Sequence, residues 1–146
     1  MTTKIILSAE LRKLIESRLE QTLKGIEDTL RKIVEKQKLN PEVLEEELKD
    51  LEQSFNLLFQ KWNLEILYTQ FLKGIMGFGE LKKVLGINSR TLSDKLKMLT
   101  KNGYIKRDVE NGPPLRVNYS LTAKGRNTVL LALPLLYYPS STDRIT

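Results

Sequence analysis

The stretch Phe78–Arg126, FGELKKVLGINSRTLSDKLKMLTKNGYIKRDVENGPPLRVNYSLTAKGR, decides the reading of this chain. Glu80–Leu85 is spaced for a short helix with Leu81, Val84 and Leu85 facing inward. Gly86-Ile87-Asn88 follows as a turn, in which Gly86 can take positive φ and end the helix and Ile87 can plug the core. Ser89 is a plausible N-cap for the next helix, with Asn88 as its competitor. That helix runs from Arg90 to Lys101. At 100° per residue, Leu92, Leu96 and Leu99 cluster on one side, and Arg90, Lys97 and Lys101 on the other, with Asp94 among them and Ser93 at the margin. Asn102-Gly103 is an αL-capable stop.

Beyond it, Tyr104–Glu110 reads as a strand, although Arg107 breaks the alternation. Asn111-Gly112-Pro113-Pro114 is a turn, and Arg116–Leu121 alternates cleanly, with Val117, Tyr119 and Leu121 on one face. Thr122 caps a last helix from Ala123 through Leu136, with a kink or break expected at Pro134. Helix, turn, basic helix, hairpin and helix, in this order, is how a winged helix-turn-helix sets one helix in a DNA major groove and a β-wing beside it. Leucines that anchor the back of the second helix leave its cations and small hydroxyls at the front, which is what base edges and phosphates require. Ser89, Arg90, Ser93 and Lys97 are the candidates for base edges or flanking phosphates. Lys101, Lys106, Arg107 and Arg116 are candidates for phosphate neutralisation, with the hairpin cations also within reach of a minor groove. Asp94 could accept from a cytosine amino group, or pair with Arg90 or Lys97.

Upstream, two amphipathic helices are expected. The first runs from Ala9 to Lys38, with Ser8 as N-cap and Glu10 in the first turn. Its apolar stripe is Leu11, Ile15, Leu19, Leu23, Ile26, Leu30 and Ile33, at steps of three and four. Asn40-Pro41 then starts a second helix, Asn as cap and Pro in the first helical position. It carries Leu44, Leu48, Leu51, Phe55 and Leu58, and an acidic face of Glu42, Glu45, Glu46, Glu47, Asp50 and Glu52. These stripes exceed what one hairpin covers, which favours a dimerisation arm. From Trp62, residues Leu64, Ile66, Leu67, Phe71 and Leu72 form a compact helix ending near Gly74. Gly74–Gly79 reads as a loop. Its G-x-x-G-x-G order follows a helix and lacks the G-K-[ST] of a P-loop, so it does not read as a nucleotide site.

The chain has 146 residues, no cysteine, no histidine and a net charge of +6. Thiol and imidazole catalysis, disulfides and Cys/His zinc sites are excluded, and no paired constellation suggests an enzyme, a cofactor or a metal. Residues 1–61 hold 11 basic and 12 acidic side chains, and residues 62–146 hold 13 and 6. The C-terminal half is therefore strongly basic, as a polyanion partner requires. Ile5-Ile6-Leu7 is too short for a signal core, and Val129–Tyr138 is interrupted by Pro134 and shorter than a membrane span. A cytoplasmic, nucleoid-associated protein is expected, divided into a helical dimerisation arm (1–61), a DNA-binding domain (62–138) and a polar, frayed tail (139–146).

Lys61-Trp62, Ile66-Leu67, Phe78-Gly79-Glu80-Leu81, Leu85-Gly86-Ile87-Asn88, Leu92, Leu96, Leu99, Gly103-Tyr104-Ile105, Arg107 and Pro114-Leu115-Arg116-Val117-Asn118-Tyr119-Ser120-Leu121-Thr122, then Lys124-Gly125, together resemble the HxlR-type transcriptional regulators. The Pro-x-Arg-Val-x-Tyr-x-Leu-Thr-x-x-Gly spacing is the more specific part. The helix-turn-helix portion alone also suits MarR- or PadR-like proteins. The resemblance covers Lys61 to Tyr138 and implies a dimeric winged-helix repressor or activator on double-stranded DNA. Three features depart from it: Asn118 stands where Glu is usual, the N-terminal extension is longer, and the cysteines some members use for sensing are absent. The fold class expected is mainly α with a small β-wing. Two other functions remain open: an architectural DNA-binding protein of low sequence specificity, and a winged helix used for protein contacts.

Overall fold

The computed structural model describes residues 9–37 and 40–142. Six helices and three short strands follow one another: α1 (Ala9–Lys36), α2 (Pro41–Phe59), α3 (Asn63–Lys73), β1 (Met76–Gly77), α4 (Phe78–Leu85), α5 (Ser89–Lys101), β2 (Ile105–Glu110), β3 (Arg116–Leu121) and α6 (Ala123–Thr142). The chain divides into two units, one ending at Lys49 and the other running from Asp50 onward. Among the described residues no helix is long and apolar enough to cross a membrane.

In the N-terminal unit, α1 runs without interruption through Gly25. Most of its stripe is exposed in the single chain: Ile15, Leu23, Ile26, Leu30 and Ile33, with Leu19 half-buried. The Leu11 side chain, the expected Ser8 cap and Lys38 lie outside the described features. α2 starts as its sequence requires, the Asn40 side chain accepting the Val43 N–H at 2.9 Å. It has no buried residue.

The C-terminal unit is a mostly helical winged-helix domain around one core. Ile66 and Leu67 of α3, Leu81 of α4 and Leu92, Leu96 and Leu99 of α5 form its centre, closed by Met76, Ile87, Tyr104, Ile105, Tyr119 and Val129. The sheet order is β1-β3-β2, antiparallel throughout. Its third strand was not expected. Met76 and Gly77, within the glycine-rich segment, pair with Tyr119 and Asn118, and α4 begins at Phe78 rather than Glu80. Two residues are too few to show a period of two, so only tertiary pairing creates this strand.

Three further expectations are corrected. Val84 is 53% exposed, because in an eight-residue helix the core direction is set by Leu81 and Leu85, and Val84 falls outside it. Leu72 of α3 is likewise exposed, whereas Gln70, on the same face as Asn63, Ile66 and Leu67, is buried. Finally, α6 continues past Pro134 to Thr142, so no break occurs at Pro134. A proline removes one helical N–H, and the bonds on either side can carry the helix through.

Candidate nucleic-acid interface

The interface is built outward from α5. Three leucines fix its back: Leu92, Leu96 and Leu99 are 0–1% exposed. Burying them stabilises the docked helix by roughly 5–9 kcal/mol in total, at about 1.5–3 kcal/mol each. The helix is capped by Asn88, not Ser89: the Asn88 side chain accepts the Thr91 N–H at 2.8 Å, and Ser89 is the first helical residue. Asn88 wins because it alone has the extended backbone of an N-cap, φ −73° and ψ 154°. The Ser89 hydroxyl is thereby left unused by the cap and exposed.

Arg90, Lys97 and Lys101 are exposed on the front of α5, and Ser93 is half-buried at its margin. Asp94 is exposed among them, yet among the described residues no ion pair joins it to Arg90 or Lys97. Among the described residues none of these three cations takes part in an ion pair. Lys95, which sequence spacing leaves without a role, points elsewhere. It is half-buried, and its ammonium donates to Gln60 Oε1 at 2.9 Å.

The wing is less uniformly basic than its sequence suggests. Cross-strand partners lie on one face of a sheet. Lys106 opposes Ser120, Asp108 opposes Asn118 and Glu110 opposes Arg116, whereas Arg107 opposes Tyr119. Lys106 and Arg116 therefore share a face with two carboxylates, and Lys106 lies 3.7 Å from Asp108. Arg107 stands on the opposite face, with Ile105 and Val109. All three cations are exposed, but they do not form one rim. Lys82 and Lys83 of α4 are also exposed. Their place beside Leu81 on an amphipathic helix is their signal in the sequence.

A clasp ties the end of α5 to the start of α6. Gly103 takes φ +79°, Tyr104 N–H donates back to the Leu99 carbonyl at 2.9 Å, and Thr122 N–H donates to the Tyr104 carbonyl at 3.1 Å. The Thr122 hydroxyl donates to the Gly103 carbonyl at 2.6 Å and accepts the Gly125 N–H at 3.0 Å. Lys124 donates to the Asn102 carbonyl and its ammonium lies 4.4 Å from the centre of the Tyr104 ring. Gly125 admits this approach because it has no Cβ, which would overlap the Tyr104 carbonyl oxygen. The orientation of α5 is thus locked at its C-terminal end to α6. Among the described residues, no group of three His, Cys, Asp or Glu is placed to hold a metal.

Known proteins are similar to this chain in sequence and fold. The family model described as HxlR-like helix-turn-helix matches residues 57–136. The chain is 38% identical over 76 residues to YvaP of Bacillus subtilis, named an uncharacterised HTH-type transcriptional regulator, covering 51% of this chain and 69% of that one. It is 42% identical over 81 residues to sll1512 of Synechocystis, named likewise, covering 53% and 59%. Among solved structures, the redox regulator HypR in its reduced form superposes with a TM-score of 0.56 at 26% identity, over 66% of this chain and 95% of that one. Quinone-bound YodB of B. subtilis superposes with a TM-score of 0.55 at 26% identity, over 63% and 96%. With the leucine-anchored α5, the three-stranded wing and the Thr122–Gly125 clasp, these matches show that the chain belongs to the HxlR-like helix-turn-helix family of transcriptional regulators.

Proposed function

We propose that this protein is a homodimeric, sequence-specific regulator of transcription that binds double-stranded DNA. α5 lies in the major groove, with Ser89, Arg90, Ser93 and Lys97 toward base edges or flanking phosphates. Lys101 of α5 and Lys106, Arg107 and Arg116 of the wing meet the backbone or minor groove. The observation that carries this reading is the front of α5: three exposed cations and an exposed serine hydroxyl on a helix whose back is held by buried leucines. The N-terminal residues 1–61 act as the dimerisation arm, through the α1 stripe from Leu11 to Ile33. They set two copies of α5 at successive major grooves, about 34 Å apart. The protein works on the nucleoid, in the cytoplasm. These 146 residues hold no cysteine, so they offer no thiol for sensing. The architectural reading shares the charges but is less favoured, since the relatives are named as transcriptional regulators.

The test separates reading from gripping. Arg90→Ala should cost about 1–3 kcal/mol on the preferred site and flatten base preference at one position per half-site. Arg116→Ala, on a wing face already balanced by Glu110 and Asp108, should weaken all sequences about equally and make the salt dependence shallower by roughly one contact per protomer. Binding of both variants to a series of single-base substitutions measures this. If Arg90→Ala lowers affinity uniformly and leaves the base profile intact, the reading role of α5 is wrong.

A further inference from the structure

The α1 helix lies wholly upstream of the family match, which begins at residue 57, so the way it pairs is a property of this chain. Leu19, Leu23, Ile26, Leu30 and Ile33 step by four, three, four and three, which registers them as d, a, d, a and d of a heptad. The last four are 44–56% exposed. The α2 helix carries the same register in Leu44, Leu48, Leu51, Phe55 and Leu58. What flanks each seam differs. Around α2, positions e and g hold Glu45, Glu47 and Glu52. A parallel α2 pair sets Glu47 against Glu52 of the other copy, and an antiparallel pair sets Glu45 against Glu52. Like charges therefore oppose α2 self-pairing either way.

Around the Leu19–Ile33 stretch of α1, position g holds Thr22 and Thr29, with Lys36 at the next g just beyond it, and position e holds Glu20, Glu27 and Val34. Over Leu19–Ile33 a parallel pair in register sets Thr22 against Glu27 and Thr29 against Val34 of the other copy, with no like charges across that part of the seam; the preceding a position is Glu16, so the seam begins at Leu19. An antiparallel pair sets e against e, so that Glu20 meets Glu27 or one of them meets its own copy, according to register. Both threonine hydroxyls are already satisfied inside the helix: Thr22 donates to the Arg18 carbonyl at 2.9 Å and Thr29 to the Gly25 carbonyl at 2.8 Å. They can be covered by a second helix without leaving a donor orphaned. Glu27 is paired in its own helix with Arg31 at 2.7 Å. Beside the seam, Thr22, Gly25, Ile26, Thr29 and Leu30 line a shallow depression, open because nothing lies within 4 Å of the place of a Gly25 Cβ. It offers room for a neighbouring side chain.

From these observations we infer that α1 pairs in parallel and in register with α1 of a second copy, as a short coiled coil over Leu19–Ile33. This rests on the homodimer reading and specifies it. A parallel pair leads both chains out of the seam at the same end, which lets two winged domains address one DNA duplex.

The absence of cysteine makes the full-length chain its own background for cross-linking. Ile26→Cys, Ile33→Cys and the outer-face control Glu35→Cys are each exposed to a mild oxidant, and sedimentation gives the mass under reducing conditions. In a parallel seam, residues 26 and 33 each meet their own copy, within the Cα separation that a disulfide spans. Both variants should form covalent dimers at similar rates, at least tenfold faster than Glu35→Cys, and should retain DNA binding. A dimer in which Ile33→Cys cross-links no faster than Glu35→Cys overturns the parallel seam and leaves the homodimer standing. A single-chain mass at micromolar concentration for the unmodified protein overturns the homodimer reading, and the seam with it. Leu30→Cys supplies an independent seam position should either isoleucine variant fail to fold.

Discussion

Replacing Gly125 by alanine should be unusually costly for a change of one methyl group. Gly125 lies in the first turn of α6, and in an unhindered helix Gly→Ala stabilises by about 0.4–1 kcal/mol. Here the new Cβ would overlap the Tyr104 carbonyl oxygen, stand 3.0 Å from the Tyr104 carbonyl carbon and approach Leu121 Cδ2 to 3.2 Å. The obstacle is backbone, and that backbone is held by the Thr122 N–H and by Tyr104's own bond to Leu99. Relief requires α6 to move away from the α5–β2 turn. Overpacking of this kind costs about 1–3 kcal/mol, and each clasp hydrogen bond lost adds about 1 kcal/mol. Set against the helix gain of about 0.4–1 kcal/mol, the net change should be about 1–4 kcal/mol of destabilisation, which lowers Tm by about 4 °C or more in a domain of this size. Urea and thermal unfolding of Gly125→Ala measure it. Gly79→Ala, in the first turn of α4 where nothing stands within 4 Å, is the control and should be neutral or stabilising. Equal stability of Gly125→Ala and the unmodified protein would refute the argument that the clasp depends on this close approach.

Other outcomes follow from the same structure. Gln70 is buried, and neither end of its amide finds a hydrogen-bond partner among the described residues. Gln70→Leu should therefore raise unfolding free energy by about 1–3 kcal/mol in a denaturant titration, and a loss of stability would show that the amide has a partner. Asn88→Ala should cost about 1 kcal/mol through the lost cap, while Ser89→Ala should leave stability unchanged. The reverse order would put the cap on Ser89. DNA affinity should fall steeply with salt: for about six to ten phosphate contacts per dimer, log K against log salt should slope near −5 to −9 in a fluorescence-anisotropy titration, and a flat line would exclude the electrostatic mode and favour a winged helix used for protein contacts.

Much of the fold is written locally. The leucine spacing of α5 was legible because a helix bonded to its own neighbours shows its period in consecutive residues. The Asn40-Pro41 start of α2, the αL stop at Gly86 and the Thr122 cap needed only a few adjacent residues, and the charge imbalance between the halves needed only counting. What tertiary structure decided concerns residues whose surroundings come from far along the chain. Met76-Gly77 becomes a strand only because β3 lies beside it. Asn88 displaces Ser89 as cap because the turn sets its backbone angles. Gln70 is buried because the face it shares with Ile66 and Leu67 meets the core. Arg107 leaves Lys106 and Arg116 because cross-strand register, rather than its nearness in sequence, assigns it a face. Gly125 is the sharpest case: as a residue in a helix it looks like a weak choice, and only the Tyr104 carbonyl packed against it, 21 positions away in sequence, makes a side chain there impossible to accommodate without moving the backbone.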